Sequence, residues 1–125
     1  MTTLEAYGRY ATSKLKAAEK FKQAKIEDIN RGILGHVLVW GESLYSAQAE
    51  VEVFGEICEW VEYYKTDAAT DGADKAWDDL VKQIQRTSLR LSTNVPSSSS
   101  WASNMMDNYK RAVWATALEY AVGRR

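Results

Sequence analysis

The residues in this chain best able to do chemistry are carboxylates. Glu52, Glu56 and Glu59 follow one another at intervals of four and three, which sets them on one ridge of a helix. Asp71, Asp74, Asp78 and Asp79 come shortly afterwards. Two facing helices with such groups can hold Mg²⁺, a hard cation that takes oxygen ligands and bridges to phosphates. On that reading Glu56, Glu59, Asp71 and Asp74 are metal ligands and Mg is the cofactor. The competing reading of the same residues is a solvated acidic face that holds no cofactor.

The order Glu56-x-x-Glu59, eleven residues, Asp71-x-x-Asp74 resembles the metal motif of the all-α nucleoside-triphosphate pyrophosphohydrolases. In that family two helices supply Glu-x-x-Glu and Glu-x-x-Asp to divalent ions. The resemblance covers about 20 residues, and the second motif opens with Asp here where the family has Glu. It implies Mg-dependent release of pyrophosphate from a nucleoside triphosphate, with those four residues as ligands. Lys65 and Lys75 are the cations beside the motif.

Other chemistries find less material. The single His (His36) excludes His-rich metal and catalytic constellations, including a di-iron centre built on paired Glu-x-x-His motifs. It falls between an apolar seam and its flank, where a histidine is ordinarily structural. The single Cys (Cys58) excludes an internal disulfide and a cysteine-based zinc site. It lies in phase with the seam, and neighbouring Glu56 and Glu59 oppose a thiolate there. The glycines at 32, 35 and 41 match neither a phosphate loop nor a dinucleotide fingerprint. A nucleic-acid-coating role would fall to clustered cations, Arg9, Lys16 and Lys20 near the start and Arg124 and Arg125 at the end.

The elements that must position these residues are helical. One Pro in 125 residues removes the strongest helix breaker almost entirely. Periodicity predicts an all-α chain with helices at about 3–24, 27–65, 73–91 and 101–122, and a Ser-rich loop at 92–100. Thr2 with Glu5 fits a capping box for the first. The second carries an unbroken seam of Ile33, Val37, Trp40, Leu44, Ala47, Val51, Phe54, Cys58 and Val61 at alternating spacings of four and three. The expected architecture is one domain, 1–125, either a four-helix bundle or an extended helical assembly built around this long, possibly kinked second helix. Composition marks 66–72 as a turn.

Charge is segregated although the net charge is −1. Residues 1–25 carry six basic and two acidic groups, 42–79 two basic and eleven acidic, and 80–125 seven basic and two acidic. These blocks either neutralise one another within the fold or join copies head to tail.

Two helices have more apolar surface than one core face requires. Ile57, Trp60 and Tyr64 form a stripe beside the seam, and Trp114 and Leu118 form one on the back of the last helix. Such stripes are either the second side of a central element or an interface. Taken as an interface, they predict a non-enzymatic protein that contacts itself or another protein, as a self-assembling subunit, adaptor or inhibitor. Small helical chains of this kind include ones encoded by viruses and phages. The absence of an apolar run of about 18 residues and of a hydrophobic signal core near Met1 points to a cytoplasmic protein with no membrane partner.

Overall fold

A computed structural model describes residues 2–31, 34–93 and 101–123, with the side chains at 34–42, 92–93 and 101–104 outside that description. Four helices account for nearly all of the described residues, and none of these residues is in a strand. The chain is an all-α bundle.

Helix α1 (Thr3–Asn30) starts where the capping box predicts, with the Thr2 hydroxyl accepting from the Glu5 amide at 3.1 Å. It continues past the expected end near residue 24 because Ile26 and Ile29 extend the apolar spacing and no Gly or Pro intervenes before Gly32. Helix α2 (Leu34–Asp71) accordingly begins later than residue 27, and it also ends later than 65. The stretch 66–71, turn-like in composition, stays helical, and Ala68 packs against the core. The helix breaks at Gly72, at φ +97°, a conformation open to glycine because it lacks Cβ. Its N–H closes on the Ala68 carbonyl at 3.1 Å, and its carbonyl accepts from the Ala76 amide at 3.2 Å. One residue therefore ends α2 and opens α3 (Ala73–Thr93). Ser92 and Thr93 belong to α3, and the rest of the expected Ser-rich loop lies outside the described residues. Helix α4 (Trp101–Val122) matches its expected span.

Helix α2 touches each of the other three. Helix α1 packs antiparallel to it, with Gly8 against Val61 near one end and Ala18 and Phe21 beside Ala47 towards the other. Helix α3 folds back along the C-terminal half of α2, where the Tyr64 hydroxyl donates to Gln83 Oε1 at 2.7 Å. Helix α4 runs parallel to α2, with Lys110 3.6 Å from Glu52 and Trp114 on Trp60 at 5.4 Å between ring centroids. Arg111 Nε donates to the Leu91 carbonyl at 2.7 Å and so satisfies one of the open carbonyls in the last turn of α3.

The core is concentrated at one end. It comprises Leu4, Tyr7 and Ala11 of α1, Val53, Phe54, Ile57 and Val61 of α2, Trp77, Leu80, Val81 and Ile84 of α3, and Trp114, Ala117 and Ala121 of α4. The Tyr7 hydroxyl donates to the Ala117 carbonyl at 2.9 Å, and Tyr10 stacks flat on Tyr120 with centroids 3.6 Å apart. These rings join the first helix to the last. At the other end α3 is missing from the cross-section, and after Ala18 no described residue of α1 is buried.

Candidate functional site

Among the described residues, the thin end of the bundle leaves an apolar groove of about 390 Å³ open between three helices. Ile26 and Ile29 come from α1, Leu44, Tyr45 and Gln48 from α2, and Met106 from α4, while Lys22 supplies the charge among the lining residues. Its apolar side chains are half-buried. Lys22, Ile26 and Ile29 continue the Ala18 stripe at spacings of four, four and three, so α1 keeps turning an apolar face inward where no α3 residue remains to cover it. Phe21 beside it is 47% exposed, with Lys25 Nζ 4.9 Å above its ring. The groove's described lining offers no activated nucleophile and no metal-ligand set. It is suited to receive an apolar or aromatic group with a polar or negatively charged margin.

A larger groove of about 660 Å³ lies between α1 and α2 at the thick end. Its walls mix Glu5, Arg9, Thr12 and Lys16 with Cys58, Glu62 and Lys65. Cys58 Sγ is 3.8 Å from the Thr12 hydroxyl. Burial pushes its pKa above the usual thiol value, with Glu62 and Glu19 adding to the effect and the Thr12 hydrogen bond opposing it. The thiol thus keeps its proton and is no activated nucleophile.

The expected interface residues pack against one another. Ile57 is 0% and Trp114 2% exposed within a single copy, Trp60 is half-buried against Trp114, and Tyr64 is tied to Gln83. Leu118 is half-buried against the same core. The second stripe of α2 and the back stripe of α4 are therefore two sides of one intramolecular seam, completed by α3.

The expected metal ligands do not converge. Asp71 is twelve positions after Glu59 in the same helix, about 18 Å along the axis of α2. Because α3 returns antiparallel from Gly72, the Tyr64–Gln83 contact sets the level, and α3 offers residues beyond Gln83 opposite Glu59, away from Asp74. Glu56, Glu59, Asp71 and Asp74 are all exposed, and Lys75 sits 3.7 Å from Asp71 and 3.8 Å from Asp79. Among the described residues no group of three or more His, Cys, Asp and Glu is placed to hold a metal ion. The motif needs two facing helices, and the tight turn at Gly72 puts its halves at different heights.

Arg9 and Lys16 line the thick-end groove together with Glu5 and Glu62, and Lys20 is exposed one turn further along α1. Arg124 and Arg125 lie outside the described residues, as do Ile33 and the side chains of His36, Val37 and Trp40. Among the described residues no helix is long and apolar enough to cross a membrane. Comparison with models of protein families, with curated proteins and with solved structures gives no significant match.

Proposed function

We propose that this chain is a non-enzymatic α-helical protein that works through protein–protein contact, as a self-assembling subunit. The observation that carries this reading is the open apolar groove at the thin end, lined by Ile26, Ile29, Leu44, Tyr45 and Met106. The stripes first expected to form that interface are used within the bundle, so the contact surface moves to the groove. Light scattering of the purified chain should give a native mass above 14.1 kDa. Ile29→Glu, which places a charge in the groove, should return it to 14.1 kDa with the helical circular dichroism unchanged. A wild-type chain that stays at the monomer mass at roughly 100 μM, where even contacts of about 5–6 kcal/mol register, would overturn the reading.

A further inference from the structure

We infer that the occupant of the thin-end groove is Tyr63 of a second copy, carried on an acidic stripe of α2, so that copies join head to tail. The inference rests on the groove being the contact surface and names what enters it. Tyr63 is 63% exposed, a large aromatic side chain standing out from the thick half of the molecule. Its ring is braced edge-on by Tyr64, with centroids 5.2 Å apart. A tyrosine on a rigid helix loses little conformational freedom on docking, because it has two side-chain torsions to fix. Glu59 and Asp67 lie one turn to either side of it, and Glu56 one turn further back, so one stripe reads acid, acid, aromatic, acid. Lys65 is paired with Glu62 at 3.1 Å, on a neighbouring row of the helix.

The receiving end has the complementary character. Its apolar walls leave about 390 Å³, ample for a phenol ring, and Lys22 stands in the lining. A knob framed by Glu59 and Asp67 meets this cation, whereas groove-to-groove pairing would bring Lys22 towards its own copy. Tyr63 is fifteen residues from Gln48 along α2, about 22 Å, so no copy can fill its own groove. Two different patches are joined, and such contacts propagate into rings or open chains.

The test mixes two variants, each lacking one patch. Tyr63→Ser removes the knob and Ile29→Glu blocks the groove, and each alone should run at 14.1 kDa with wild-type circular dichroism. Mixed in equal amounts, they should form a species of twice that mass and nothing larger, because one intact knob meets one intact groove. Lys22→Glu should weaken wild-type assembly, and adding Glu59→Lys with Asp67→Lys should restore it without help from any refolding of the groove. If Tyr63→Ser assembles like wild type while Ile29→Glu does not, the groove remains the contact surface and the occupant is another group, which overturns this inference alone. If Ile29→Glu assembles like wild type, the groove itself is not the interface and both readings fall. Two folded variants that stay monomeric when mixed also overturn the head-to-tail pairing.

Discussion

At Gly8 α1 lies close against Val61 of α2, and replacing it with alanine gives a prediction of opposite sign to the same change elsewhere. A Cβ added at Gly8 would lie 2.8 Å from Cγ1 of Val61, about 1 Å inside ordinary carbon–carbon contact. Val61 is itself buried and β-branched, with one preferred helical rotamer, so its methyl cannot swing away. Overpacking of this kind costs about 1–3 kcal/mol, against a gain of about 1 kcal/mol when Ala replaces Gly inside a helix. Gly8→Ala should therefore lower stability by up to about 2 kcal/mol. Gly55 supplies the control, because nothing lies within 4 Å of a Cβ built there. Gly55→Ala should raise stability by about 1 kcal/mol. Val61→Ala is destabilising on its own, but it removes the obstructing methyl, and Gly8→Ala made in that background should become stabilising. The coupling in the double-mutant cycle should fall between about 1 and 3 kcal/mol. Urea unfolding followed by circular dichroism measures every corner of the cycle. If Gly8→Ala is stabilising by the same amount in both backgrounds, the two helices are not in close contact at this position.

Two other outcomes follow from the core. Trp114→Ala should cost about 3–5 kcal/mol and lower the thermal midpoint sharply, because the indole is buried in one copy against Trp60; an unchanged midpoint would remove it from the core. Tyr7 has its hydroxyl pKa pushed well above the ordinary phenol value, first by burial and then by the neighbouring Tyr10 and Cys58. The fold thus favours the protonated phenol, so this contribution is complete below pH about 10 and is lost progressively as the pH rises beyond it. Tyr7→Phe should cost about 1 kcal/mol at neutral pH through the lost bond to Ala117, and should flatten the alkaline loss. Urea midpoints at pH 8 and 10.5 compare the two proteins, and equal slopes would contradict the burial of the hydroxyl.

The helical class was legible because its signals are local. Thr2 with Glu5 marked the first cap, and the near-absence of proline removed the main interruption. The seam was legible too where it can be compared, since Ala47, Phe54 and Val61 are buried and Leu44, Val51 and Cys58 half-buried. What periodicity does not encode is the element that covers a given stripe. Val53 and Ile57 lie beside the seam on α2, and spacing treats them alike whether α3 and α4 or another copy covers them. The boundary between α1 and α2 was displaced for a related reason. Ile26 and Ile29 fit the phase of an apolar helix, and only the break after Asn30 assigns them to the first one. With that assignment lost, the thin-end groove was invisible. Tyr63 gave no signal because one aromatic off the stripe is unremarkable until its neighbours and its exposure are known. Spacing puts Glu52, Glu56 and Glu59 on one exposed side of α2, but chemistry between them and the later aspartates depends on the height at which α2 turns into α3.

The bond from Tyr7 to Ala117 closes a loop of 110 residues, and it places the first helix under the control of the last. During synthesis the amino-terminal core face leaves the ribosome without the residues that complete it. At 5–20 residues per second, that wait is roughly 5–20 s. Throughout it Leu4, Tyr7 and Tyr10 have no α4 to pack against, although α1 and α2 can already form their local hairpin. Chains that stop short of Ala117, or that are cut within α4, retain this unfinished aromatic face permanently. Until α4 arrives, the aromatic face of α1 stays without the residues that cover it.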